Sequence, residues 1–158
     1  MSEVKNKKKK SSIIQISIGV LAVILAILII IMMGIVSDIQ GTARIVNYTG
    51  LVRGETQRLI KLELSTQQEN EMIHEIRTFI DGLRNGNDEL NLVRLDDVDF
   101  QNKMQELDDK FSDLYKKIHL VRFKGAKNTD IIPESEEFFV ICDEATGLAE
   151  KYSQKKAT

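Results

Sequence analysis

From Ile13 to Val36 the chain is apolar at every position except Gln15, Ser17 and two glycines. A run of this kind leaves few options. At about 1.5 Å per residue a helix over these positions reaches roughly 36 Å, enough to cross a hydrocarbon layer of about 30 Å. In hydrocarbon every backbone amide must find its partner inside the segment, which a helix provides. A cleaved signal peptide is the rival reading, because Lys5 and Lys7 to Lys10 form a positive leader. Its apolar core spans only about 7–15 residues and ends at a small-residue cleavage site. The run here is longer, and Met33-Gly34-Ile35-Val36-Ser37 is a poor match to such a site. The sequence therefore predicts a basic segment at 1–12, an uncleaved transmembrane helix at 13–36 and a folded domain at 37–158.

The lysines set the expected orientation. Five of them lie just before the apolar run, so the amino terminus is expected in the cytoplasm and residues 37–158 outside it. Taking the five lysines and one glutamate of the first 36 residues from 22 Lys+Arg and 24 Asp+Glu leaves the remainder about six charges negative. An acidic domain of this kind argues against nucleic acid as a partner. The single cysteine, Cys142, excludes an internal disulfide framework.

Beyond the apolar run the hydrophobic period is helical throughout, and the chain contains one proline. Four helices are expected. The first runs from about Ser37 to Ser65, with one stripe at Ile45, Tyr48, Val52, Leu59 and Leu62. The second, about Gln68 to Leu83, carries Met72, Ile76, Phe79 and Leu83 and is ended by Gly82, Gly86 and the intervening Asn-rich turn. Leu90, Leu92, Val93 and Leu95 are expected to cover one end of the domain. The third helix starts at Asp96 or Asp97 and repeats Phe100, Met104, Leu107, Phe111, Leu114, Ile118 and Val121 at alternating steps of four and three. Gly125 ends it, and Pro133 marks the start of the fourth, with Phe138, Ile141, Ala145, Leu148 and Tyr152 on its apolar face. Helices of this length with short connections describe an all-α, antiparallel up-down-up-down four-helix bundle. Three reversals bring the fourth helix back to the bilayer, so a second span is expected to begin near Thr158.

A second stripe on the first of these helices runs Ile39, Ala43, Val46, Gly50, Arg53, Gln57, Ile60 and Leu64, again with coiled-coil spacing. A charge on a packing seam is costly unless something negative meets it. Arg53 can meet a ligand anion, or a carboxylate of another helix such as Glu137 or Glu144. Gly50 and Gly54 form a small-xxx-small pair suited to close helix approach.

The pattern Asn47-x-x-Gly50-x-x-Arg53-x-x-x-Gln57-Arg58 resembles the first extracytoplasmic helix of bacterial transmembrane sensors related to the nitrate/nitrite sensor kinases and the type IV pilus chemoreceptor. Similar runs occur in membrane-bound sensor kinases and diguanylate cyclases. The likeness is close over about residues 43–64 and architectural elsewhere. It implies a homodimeric sensor domain whose output domain lies in the cytoplasm, with Arg53 binding a small anion at a two-fold interface. Gly50 would allow close approach there, and Asn47 and Gln57 would flank the ligand. Two guanidiniums on one seam repel, and an oxyanion between them accepts forked hydrogen bonds from both. The chain departs from the nitrate pattern at Gly54-Glu55, which adds a negative charge beside the arginine.

Other motifs point to structure. His74 and His119 have no Cys or His at ligand spacing and read as surface or interhelical residues. Asp96, Asp97 and Asp99 lack the glycine and terminal glutamate of a calcium loop and read as helix caps. Cys142 reads as a core residue, and Asn47-Tyr48-Thr49 matches a glycosylation acceptor inside a helix. No metal, cofactor or enzymatic motif is expected in this segment. The competing function class is a single-pass coiled-coil scaffold of the cell envelope with no small-molecule ligand; four helices broken by turn signals argue against it.

Overall fold

A computed structural model describes residues 2–157, with side chains described at 14–37 and 39–155. The described chain is all-α: α1 (Ser2–Leu64), α2 (Asn70–Asn85), α3 (Val98–Lys124) and α4 (Ile132–Ala157), with a 3-10 turn at Ala126–Asn128. Two compact units divide at Asp38 and Ile39, and α1 contributes to both. In the first unit every described side chain from 14 to 37 is exposed. Among the described residues, α1 is the one helix long and apolar enough, by length and composition, to cross a membrane.

The second unit is organised around α3. Its apolar face, Phe100, Met104, Leu107, Phe111, Leu114, Ile118 and Val121, is buried along the full length of the helix. The predicted four-three repeat is therefore a core seam. Asp97 starts the helix by accepting a hydrogen bond from the Phe100 amide at 2.9 Å. Gly125 ends it at φ 86°, a left-handed conformation that costs a side chain but not glycine.

Helix α4 lies antiparallel to α3, and charge records the register. Lys103 reaches Glu144 at 2.7 Å; Lys110, one heptad on, pairs with Glu137, one heptad back. Lys117, a further heptad on, meets Glu134 at 2.6 Å. Only a reversed neighbour can match forward heptad steps with backward ones. Hydrogen bonds hold both the Lys103 and Lys110 ammoniums above the ordinary lysine value, to Glu106 and then Glu144 for Lys103 and to Glu137 for Lys110, against a smaller opposing effect of burial. Beneath the charges the Phe111 and Phe138 rings meet at 5.8 Å. The buried face of α4 and its lead-in is Ile131, Ser135, Phe138, Cys142, Ala145 and Ala149, another unbroken heptad pattern. Leu148, expected on that face, is only half-buried.

Helix α1 departs furthest from expectation. Its buried stripe is Thr42, Ile45, Thr49, Val52, Thr56, Leu59 and Glu63. The stripe from Ile39 to Leu64 is only partly a seam within the chain: Ile60 is buried and Val46, Arg53 and Leu64 are half-buried, whereas Ile39, Ala43, Gly50 and Gln57 are exposed. The reason is the set of threonines. A helical threonine can turn its hydroxyl onto the carbonyl four residues back and present its methyl group outward. Thr49 does so, donating to the Ile45 carbonyl at 2.8 Å. One heptad position of α1 is thus polar at every turn of the repeat, alternating with Ile45, Val52 and Leu59.

Ring contact between Tyr48 and Phe79, edge to face at 5.2 Å, ties α1 to α2. At the far end Glu63 is the anchor. Its carboxylate is 1% exposed and takes a forked pair from Arg122 of α3, whose side chain is 13% exposed. The same carboxylate accepts the Glu69 amide at 3.2 Å, and Arg122 also donates to Asn70 at 2.7 Å. The first turn, α3 and the start of α2 are clamped together there. On the other side of α2, Arg77 lies over the Phe111 and Tyr115 rings at 5.4 and 4.9 Å.

The connector between α2 and α3 folds back on α2. Asn87 and Leu92 exchange backbone hydrogen bonds at 2.8 Å. Leu92 and Leu95 are buried and Leu90 is half-buried, as expected of an end cover, whereas Val93 is 62% exposed. Gly82 lies inside α2 rather than ending it. A Cβ there would stand 3.1 Å from Asn87 and Leu92, so the connector needs the bare backbone.

Removing one member of a buried, forked ion pair strands the other charge, typically costing about 3–5 kcal/mol. Glu63→Ala is therefore expected to lower stability by that order in a denaturant titration, with Glu63→Ala/Arg122→Met losing less than Glu63→Ala alone. Thr56 Oγ1 is buried with no hydrogen-bond partner among the described residues, so Thr56→Val is expected to raise stability by about 1 kcal/mol. A loss of stability on that substitution contradicts the packing described.

Candidate functional site

The four residues singled out on α1 do not converge on one point within a single chain. Asn47, Gly50 and Gln57 lie on exposed positions, while Arg53 reaches toward α4. A Cβ at Gly50 or Gly54 would meet nothing within 4 Å, so a close helix approach at these glycines needs a second chain.

Arg53 has two partners among the described residues. Its Nε lies 3.1 Å from Asp143 Oδ1, and its guanidinium stands 5.7 Å from the centre of the buried Phe139 ring. The predicted interhelical carboxylate is therefore present, but as Asp143 rather than Glu137 or Glu144. Those two glutamates are already engaged by Lys110 and Lys103. The heptad lysines of α3 and the glutamates of α4 contained that signal. What places Asp143 opposite α1 is the rotation of α4, with Phe138, Cys142 and Ala145 turned into the core.

The pair is open to water. Arg53 is 40% and Asp143 63% exposed at the side chain. It is also imperfect. Nε is itself buried and makes no hydrogen bond, so the contact with Asp143 is one of charge without a directed N–H···O geometry. The site thus offers a half-exposed cation whose Nε is buried and whose guanidinium stands beside an aromatic ring. Glu55 is occupied by Arg58, at 3.6 Å along the same helix.

The remaining candidates keep structural places. Cys142, next to Asp143, is fully buried. Burial pushes its thiol up to about 12, with Asp143 adding to the rise and Arg53 opposing it. Asp97 caps α3 and Asp96 pairs with Arg94 at 3.4 Å. His74 is exposed, and His119 packs edge to face with Tyr115 at 4.4 Å. Thr49 of the glycosylation pattern is buried inside the helix, bonded to Ile45. A separate groove of about 640 Å³ between α3 and α4 includes Asp109, Asp113, Val140 and Glu144. Arg53 does not line it.

No protein-family model, curated protein or solved structure matches this chain.

A thiol held near 12 supplies almost no thiolate at neutral pH, and the thiolate is the reactive form. Iodoacetamide at pH 8 is expected to leave Cys142 unmodified in the folded chain and to alkylate it in denaturant, read by intact mass. Rapid native labelling would contradict the burial assigned to it.

Proposed function

We propose that this chain is the extracytoplasmic sensing region of a membrane-bound signal-transduction receptor. In this reading residues 13–36 cross the membrane, the amino terminus is cytoplasmic and residues 37–158 form an up-down-up-down four-helix bundle outside it. The receptor works as a homodimer packed along the open glycine face of α1. A small anionic ligand seats at Arg53, flanked by Asn47, Gly50 and Gln57. A shift of α1 carries the signal to a cytoplasmic output domain, a kinase or a cyclase, outside this sequence.

Helix α1 carries the reading. It holds the uncovered apolar run, and in the second unit it holds Arg53, an arginine whose side chain is 40% exposed. The Asn47-to-Arg58 resemblance supports the same conclusion. The antiparallel pairing of α3 with α4 and the shared core with α1 and α2 support a bundle. A ligand that biases one of two helix arrangements is sufficient for signalling, because it shifts a population that already exists.

Two measurements test the proposal. Chain produced in bacteria should fractionate with membranes, with protease added from outside the cytoplasmic membrane cleaving residues beyond 37 and sparing the lysine-rich start. Recovery as a soluble protein removes the receptor reading. In a thermal-shift screen of small anions on the detergent-solubilised chain, at least one is expected to raise the melting temperature of the wild type and none that of Arg53→Ala. An exposed ion pair contributes only about 0–1 kcal/mol, so Arg53→Ala should remain folded and its loss of response is not a loss of structure.

A further inference from the structure

We propose that Asp143 is a built-in competitor for the anion seat at Arg53, so that an arriving anion exchanges with a carboxylate and releases α1 from α4. The proposal rests on the reading of Arg53 as that seat and adds what the seat holds when no ligand is present.

Three features make the exchange favourable. Asp143 is 63% exposed, so the displaced carboxylate passes into water with little loss of hydration. Arg53 is never left without a counter-charge, since one anion replaces another. The existing contact is also suboptimal: at 3.1 Å the Nε and Oδ1 atoms are close, yet the buried Nε makes no hydrogen bond. A carboxylate tethered to α4 cannot choose its approach. A free oxyanion can, and can accept two parallel N–H donors from the planar guanidinium. The Phe139 ring, 5.7 Å away, keeps the guanidinium in place during the exchange.

The exchange also has a mechanical consequence. The Arg53–Asp143 pair links the last third of α1 to α4. Neighbouring core positions on α1 include Thr49 and Thr56, which bury less apolar area than the phenylalanines and leucines of α3. The Glu63–Arg122 clamp, far along α1, does not depend on the pair. Displacing Asp143 therefore removes the charge tie between α1 and α4, so that the stretch of α1 packed through Ile45, Thr49 and Val52 can shift against α4 while the Glu63–Arg122 end stays fixed. The ligand class is a small oxyanion or carboxylate able to form a forked pair, such as nitrate or acetate.

The test uses the whole chain in detergent micelles, with sodium nitrate and sodium acetate as probes, and compares wild type, Asp143→Asn and Arg53→Ala. Calorimetry is expected to show anion binding strengthened up to about fivefold in Asp143→Asn, the fold-change equivalent to an exposed ion pair, and abolished in Arg53→Ala. Spin labels at Gln40 of α1 and Glu150 of α4 report the second arm. The distance between them in anion-free Asp143→Asn should equal that in anion-bound wild type. Binding in the wild type that is lost in Arg53→Ala but unchanged in Asp143→Asn overturns the exchange and leaves the anion seat standing. Absence of binding in both wild type and Asp143→Asn removes the seat, and the exchange with it. A spin-label distance unmoved by Asp143→Asn removes the release of α1.

Discussion

The buried face of α3 is the constraint on which the second unit depends. From Phe100 to Val121 it places a large apolar side chain at each heptad core position, and none is left open to water. A face of that kind cannot be stable alone in solution; it requires neighbours along its whole length. Helix α4 supplies one neighbour, and the Lys103, Lys110 and Lys117 bridges hold it in a single antiparallel register. Helix α2 supplies another, through Arg84 paired with Asp108 and Arg77 laid over Phe111 and Tyr115. The individual surface bridges are weak, but sliding the helices by one turn would break them together and misplace the aromatic contact beneath.

Helix α1 joins this core on different terms. Its inward face alternates Ile45, Val52 and Leu59 with threonines and ends in the buried Glu63. Threonine packs in a helix interface while burying less apolar area than leucine, so fewer contacts hold α1 per turn. Its polar attachments are correspondingly specific. The Glu63–Arg122 clamp is buried and forked, whereas the Arg53–Asp143 pair is open and geometrically imperfect. The two polar ties of α1 thus differ in kind: the one at Glu63 is buried and the one at Arg53 is open to water.

Much of the helix layout was legible from spacing. The α3 repeat, the Asp97 cap, the Gly86 and Gly125 stops and the burial of Cys142 all follow from local rules that act within a few residues. The inward face of α1 was legible only in its apolar half, Ile45, Val52 and Leu59, because the threonines between them read as polar in a sequence. Thr49 packs inward with its hydroxyl turned onto the carbonyl one turn back, and Thr56 is buried with its hydroxyl unbonded. That misassignment moved the expected seam toward Arg53 by one helical position. The identity of the carboxylate beside Arg53 was missed for a related reason: Glu137 and Glu144 were equally placed in sequence, and the lysines of α3 had already claimed both.

By itself, then, the sequence determined the helical character of the chain, the apolar run at residues 13–36, the heptad face of α3 and the isolation of one arginine among candidate contacts. These properties depend on composition and on periods of three and four residues. Which face of α1 turns inward, which acid meets Arg53 and where α1 is anchored were decided by the tertiary structure. They depend on the rotation of each helix about its own axis. That rotation is set by the packing of all four helices at once, and no local stretch of sequence contains it.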